Sequence, residues 1–302
     1  MSNILVTGGT GFLGRHLIKK LKKEGHSVVI SNTTNCNLHD YSNFCNTLEG
    51  EKFDYIFHLA AKTRAGDYCM YHKGEQWIDN QLLNTNMLKY WYNKQAQAKM
   101  IAMGTGCTYE PSEDFLVEKD CISGEPEPEL YAYAHTKRML LVGLKSLAEQ
   151  YNMKYIYYIP STLYGSDFVL NDNHFIFDLV KKIYKGKHYN KKVTLWGNGH
   201  QRRELIFVND AIQLMVDLLH LDNEVINLST GEDYSIREYA EIICNIMEYD
   251  FNKIEYDESR YTGALVKRLS PDKLKKLSNN FKFTSTEAGI KNTIDYYISS
   301  CK

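Results

Sequence analysis

Val6-Thr7-Gly8-Gly9-Thr10-Gly11-Phe12-Leu13-Gly14 is the stretch on which the fold turns. The apolar run Ile4-Val6 reads as a buried strand, and Leu13, Leu17, Ile18 and Leu21 recur at helical spacing, with Gly25 as a stop just beyond. A glycine pattern that leaves a strand and opens a helix is a phosphate cradle. Its glycines allow a tight turn and a close backbone approach to a pyrophosphate, whose charge is stabilised by the helix N-terminus.

Outward from that turn, Val28-Ile30, Tyr55-Leu59, Met100-Met103 and Tyr155-Ile159 read as further buried strands, alternating with helical stretches at Glu75 to Ala98 and Tyr133 to Gln150. The alternation implies an α/β protein, a Rossmann-type doubly wound parallel sheet. Beyond Pro160 the pattern loosens. Gly165 to Asn173 reads as loop, Phe175 to Tyr184 as helix and Val193-Leu195 as a short strand, while Leu205-Val208 and Val225-Leu228 are expected to return to the main sheet. Ser235-Ile-Arg-Glu238 is a capping box, and Ser270-Pro271 offers an N-cap with proline at the first helical position. The expected organisation is a dinucleotide-binding domain over 1–162 plus about 204–228. A smaller interwoven substrate domain takes 163–203 plus about 229–302.

Bulk properties narrow the partners. The chain has 302 residues and a formal net charge of −1, against the pronounced basic surface that nucleic acid or membrane binding needs. Seven scattered cysteines form no CxxC pair, so neither a disulfide framework nor a metal site is expected. With no signal-like start and no long apolar run, the expectation is a cytoplasmic protein in a reducing compartment.

Tyr133-Ala-His-Thr-Lys137 adds chemistry. On a helix, i and i+4 share a face, so Lys137 is expected to lower the Tyr133 phenol from its usual pKa of roughly 10 towards neutrality and make it a proton donor. Thr105 follows the fourth strand, at the carboxyl end of the sheet where such folds bind ligands, and its hydroxyl can hold a carbonyl beside Tyr133. A carboxylate that would bind the adenosine ribose of NAD, about 20 residues past the turn, is replaced by Ser31-Asn32-Thr33. NADP(H) is therefore favoured over NAD(H), with Arg15 and Arg64 as candidates for the extra phosphate.

The chain resembles the GDP-L-fucose synthase family of extended short-chain dehydrogenases over nearly its whole length. The resemblance rests on Gly8-x-x-Gly11-x-x-Gly14, His58-Leu-Ala-Ala-Lys62, Gly104-Thr-Gly-Cys-Thr-Tyr109, Tyr133-Ala-His-Thr-Lys137, Pro160-Ser-Thr-Leu-Tyr-Gly165, Asn173-His174 and Trp196-Gly-Asn-Gly-His-Gln-Arg-Arg-Glu204. It implies cofactor contacts from Gly8, Thr10, Gly11, Phe12, Leu13, Gly14, Asn32, Asn37, Leu38, Leu59, Ala60, Ala61, Tyr133, Lys137 and Pro160. It also implies a nucleotide-sugar site, GDP-linked, lined by Lys62, Cys107, His174, Trp196, Arg203 and Lys267, with Arg203 and Lys267 suited to a diphosphate. By the same resemblance Thr105, Cys107, Tyr133, Lys137 and His174 are catalytic. Cys107 and His174 exchange protons on the carbons beside a C4 ketone, and Tyr133 supplies the proton when that ketone is reduced. The related dehydratases carry Asp-Glu where this chain has Gly106-Cys107.

Thr105-Gly106 stands where the family usually has Ser-Ser, Thr63-Arg64-Ala65 replaces a glycine-rich loop, Thr162 replaces an asparagine, and the loop from Gly165 to His174 is shorter. These departures gather around the sugar, so a 4-keto-6-deoxy hexose or a heptose both fit. A C4-ketoreductase without epimerase activity and a non-catalytic NADP(H) sensor remain the alternative readings. The resemblance further implies a homodimer through Asn80 to Lys94 and Ala134 to Gln150.

Overall fold

The computed structural model of the chain describes residues 1–63, 68–260 and 262–301. Strands β1 (Asn3–Thr7), β2 (Ser27–Ser31), β3 (Tyr55–His58), β4 (Lys99–Met103), β5 (Tyr155–Pro160) and β9 (Glu224–Leu228) form one sheet ordered β2-β1-β3-β4-β5-β9. Every neighbouring pair is parallel. Because alternate strand residues face opposite sides, each face must be covered. Ile4, Val6, Phe57, Ile101, Ile156 and Tyr158 pack with α1 (Phe12–Lys23) and α7 (Val208–Asp217). Leu5, Ile56, Met100, Ala102 and Tyr157 pack with α2 (Tyr41–Thr47), α4 (Lys73–Lys94) and α5 (Tyr131–Tyr151).

A second core gathers residues of β6 (Thr162–Tyr164), α6 (Phe175–Tyr189), β7 (Val193–Trp196), β8 (Arg202–Phe207), α8 (Ile236–Met247), β11 (Ile254–Asp257) and α10 (Thr286–Ser300). In it β8 pairs with β6, with β10 (Asp233–Ser235) and with β12 (Val266–Lys267), while β7 pairs with β11. The short helices α3 (Tyr68–Tyr71) and α9 (Asp272–Leu277) complete the elements. No helix among the described residues is long and apolar enough to cross a membrane.

Several boundaries differ from the sequence expectation. Leu205-Val208 does not enter the main sheet: β9 occupies the open edge of β5, and β8 lies in the smaller sheet. Its side chains explain the ambiguity, since Leu205 and Phe207 join the second core while Ile206 and Val208 join the core of the main sheet. A run apolar on both faces carries no mark of which sheet it pairs with. Helix α4 ends at Lys94 rather than Ala98, because the Ala98 N–H turns back to the Gln95 carbonyl ahead of β4. Pro271, rather than Ser270, is the N-cap of α9. The capping box at Ser235 and Glu238 forms in both directions, at 3.2 and 2.6 Å.

Candidate active site

The strand order reverses at β1, with β2 on one side and β3 on the other, which opens a crevice beyond their carboxyl ends. The glycine turn lies at this point. Gly8 has a φ of +69°, and a Cβ on it would stand 2.7 Å from the Ala60 nitrogen; a Cβ on Gly14 would stand 2.7 Å from the Gly9 Cα. Only glycine lets the turn fold this tightly against the Leu59-Ala60-Ala61 segment after β3. Gly11 caps α1 without a side-chain hydrogen bond, and no acidic residue stands in the first helical turn. The first N–H groups of α1 therefore present a positive end to a phosphate, and these residues fit a dinucleotide.

The turn is wired to the rest of the site through buried polar groups. The Thr7 hydroxyl accepts from the Ala60 N–H at 3.2 Å and meets His58 Nδ1 at 2.9 Å. His58 Nε2 reaches Asn84 Oδ1 at 3.1 Å, and the Asn84 amide donates to the Thr136 carbonyl of α5 at 3.0 Å. Burial and the nearby Lys137 ammonium push the His58 imidazole down to about 3, so it stays neutral. In the loop after β2, Asn32 Oδ1 accepts from the Thr34 and Asn35 N–H groups at 2.8 and 3.1 Å. Asn37 Oδ1 accepts from the His39 N–H at 3.1 Å, and Leu38 is buried, with its carbonyl held by Asn86 at 2.8 Å. Arg15 donates to the Thr10 carbonyl at 2.7 Å and to the Asp167 carbonyl, so it serves as a strap between α1 and the 165–173 loop. Arg64 lies outside the described residues.

Thr105 ends in the loop after β4, where its Oγ1 accepts from the Cys107 N–H at 3.3 Å and caps the short turn Gly106–Thr108. The cap uses a lone pair and leaves the Thr105 O–H available as a donor. Two side chains of α5 hold this turn: the Lys137 ammonium donates to the Met103 carbonyl at 2.9 Å, and Arg138 donates to the Thr108 carbonyl at 2.8 Å through Nε. Arg138 also reaches the Ser123 and Gly124 carbonyls.

The expected lowering of the Tyr133 phenol does not appear. Burial raises it, with Cys107 and Cys69 adding to the rise, while burial lowers Lys137 to about 8. The physical reason is that the Lys137 ammonium is directed at the Met103 carbonyl and stands 6.0 Å from the centre of the Tyr133 ring. Desolvation therefore dominates both groups, and Tyr133 is held as a protonated donor.

His174 is the N-cap residue of α6. Its Nδ1 contacts Asp172 Oδ1 at 2.6 Å, and its N–H donates to the same oxygen at 2.9 Å. Burial raises the Asp172 carboxyl, but the hydrogen bonds and charge of His174 outweigh it and hold the group below its ordinary value. Buried Lys181 reaches back from α6 to the Asp172 carbonyl and to Asn173 Oδ1, fixing the segment. Phe177 in the first turn of α6 packs edge-on against Phe12 at the start of α1, at 5.7 Å, so the His174 segment borders the cofactor turn.

The remaining expected residues are placed less uniformly. Lys62 pairs with Asp79, and Pro160 closes β5 beside Leu228. Trp196 lies at the end of β7 with Lys182 and Arg260 over its ring at 5.9 and 5.3 Å. Arg203 donates to the carbonyls of Arg202, Thr262 and Ala264 at 2.7, 2.7 and 2.8 Å, which makes it a clamp on the chain leading into β12. Lys267 meets Glu127 Oε2 at 3.2 Å and Cys107 Sγ at 3.9 Å. Sequence reasoning missed Asp172, Glu127 and Arg138. The spacing Asp172-x-His174 was a readable signal for the first, whereas the other two act across 30 residues or more. Among the described residues no group of three or more His, Cys, Asp or Glu could hold a metal ion.

Residues 4–236 match the NAD dependent epimerase/dehydratase family. A GDP-L-fucose synthase from Dictyostelium discoideum is 28% identical over 307 residues, covering 98% of this chain and 95% of that protein. A GDP-L-colitose synthase from Yersinia pseudotuberculosis is 25% identical over 308 residues, covering 98% of each. Among solved structures, a GDP-L-fucose synthetase from Naegleria fowleri bound to NADP superposes with a TM-score of 0.85 at 26% identity, covering 99% of this chain and 94% of that one.

Proposed function

The chain belongs to the NAD dependent epimerase/dehydratase family, and on that footing we propose that it is an NADPH-dependent epimerase/reductase of a GDP-4-keto-6-deoxy sugar, hexose or heptose. The observation that carries this reading is the Thr105–Cys107 turn. It brings a hydroxyl and a thiol to the same end of the sheet as Tyr133, close enough for Cys107 to raise the phenol's pKa. The relatives named above support the GDP-sugar class and NADP.

In this reading the ketone oxygen sits between the Thr105 and Tyr133 hydroxyls. Both remain protonated donors, so negative charge developing on that oxygen is stabilised where it forms. A C–H bond beside the ketone is thereby acidified. The Cys107 thiolate takes the proton, the electron pair moves to the ketone oxygen, and His174 delivers a proton from the opposite face. Asp172 on Nδ1 fixes the imidazole so that Nε2 is the atom that exchanges protons. Bound NADPH supplies the hydride for C4. Tyr133 gives its proton to the oxygen as C4 is reduced, and Lys137, lowered to about 8 by burial, is poised to exchange protons near neutrality.

Heavy-water incubation with a GDP-4-keto-6-deoxy sugar, in the absence of NADPH, tests the proposal. Deuterium at C3 or C5 is the expected result. Absence of label, with later NADPH-dependent reduction intact, leaves a C4-reductase, and NADPH binding without turnover of any 4-keto nucleotide sugar leaves a sensor. The same assay over GDP, UDP and dTDP sugars tests the base.

A further inference from the structure

Lys267 was expected at a diphosphate, and its ammonium stands between Cys107 and Glu127. It leaves β12, whose pairing with Arg202 and Arg203 of β8 fixes where the side chain starts. Its ammonium lies 3.9 Å from the Cys107 sulfur and 3.2 Å from Glu127 Oε2. Glu127 is 7% exposed, and its other oxygen accepts the Ala264 N–H at 2.5 Å, so the carboxylate is itself anchored to the strand's approach. The lysine stem runs alongside Gly106, where a Cβ would stand 4.0 Å from Lys267 Cδ, an ordinary van der Waals distance.

We propose that Lys267, held in place by buried Glu127, is the counter-ion of the Cys107 thiolate, a positioning residue that keeps the sulfur deprotonated and ready to remove the proton beside the ketone. An ammonium has three donors, so Lys267 can bond Glu127 and the sulfur together. Glu127 holds the ammonium at 3.2 Å, and the ammonium stands 3.9 Å from the sulfur. A cation within about 4–6 Å of an ionisable group favours its anionic form by roughly 1–3 pH units. In the catalytic step the C–H bond breaks, an S–H bond forms and the electron pair goes to the ketone oxygen. Lys267 keeps its protons throughout.

The inference rests on Cys107 as the base of the proposed reaction, but its test needs neither sugar nor hydride transfer. Cys107 alkylation by iodoacetamide is followed by peptide mass spectrometry from pH 5 to pH 10 in the wild type, Lys267→Met and Lys267→Arg. Lys267→Met is expected to move the midpoint of alkylation up by about one pH unit, which is about a tenfold slower reaction below the midpoint, and Lys267→Arg to restore most of it. Lys267→Gln, still able to donate to Glu127, replaces the Met variant if that variant fails to fold. An unmoved midpoint in a folded variant, or a shift that Lys267→Arg leaves in place, overturns the proposal. If the midpoint shifts while the sugar carbons never exchange with solvent, the thiolate assignment stands and the sugar chemistry falls.

Discussion

Lys137→Met should separate stability from catalysis at a single atom. Lys137 is 3% exposed, and its ammonium donates to the Met103 carbonyl at 2.9 Å. Burial lowers it from 10.5 to about 8. The unfolded chain therefore binds a proton that the native state has lost between about pH 8 and pH 10.5, and stability rises with pH across that window. The difference of about 2.5 units, at 1.36 kcal/mol each, makes the buried charge cost about 3 kcal/mol below pH 8. A methionine of similar length removes that cost and orphans one carbonyl, a loss of about 1–3 kcal/mol. Urea unfolding of both proteins from pH 7 to pH 10.5 measures the result. The stability of Lys137→Met relative to wild type should be greatest below pH 8 and decline by about 3 kcal/mol by pH 10.5, with reductase activity lost throughout. Comparing the two proteins cancels the titration of the groups they share. A difference that stays constant with pH would refute the reasoning, because a lysine whose native pKa lies below its unfolded value must give that slope.

Three further outcomes follow from the geometry. Asp172→Asn removes the charge on His174 Nδ1 and should slow solvent exchange beside the ketone about tenfold or more while cofactor affinity stays within twofold; equal exchange rates would show that Asp172 only shapes the loop. Gly14→Ala drives a methyl into Gly9 and should weaken NADPH binding at least tenfold in a fluorescence titration, so unchanged affinity would remove the tight turn from the cofactor site. Helices α4 and α5 expose Trp77, Ile78, Leu82, Met139 and Val142, and a homodimer that buries this face is proposed; Val142→Glu with Met139→Glu should give a monomer by sedimentation, against a dimeric wild type.

Much of the fold was legible because its signals are local. The glycine turn, the strand cores and the capping box are each specified within a dozen residues, and each lies where its pattern indicated. Pairing of β8 was not legible, since its apolar residues serve two cores at once. Glu204 shows the same limit. Its carboxylate accepts from Ser229, Thr230, Gly231 and Leu269 and so stitches β8 to the loop after β9 and to the end of β12. Burial nonetheless raises it above the ordinary glutamate value. Nothing at position 204 of the sequence distinguishes that clamp from a surface acid.

By itself the sequence determined the glycine turn and the parallel α/β order, because these follow from spacing along one strand or one helix. Only the tertiary structure decided the electrostatics. Whether Lys137 acts on Tyr133, which side chains Lys267 stands beside, and whether His174 has a carboxylate behind it depend on distances of a few ångströms in the folded chain, and on how far burial excludes water from each charge.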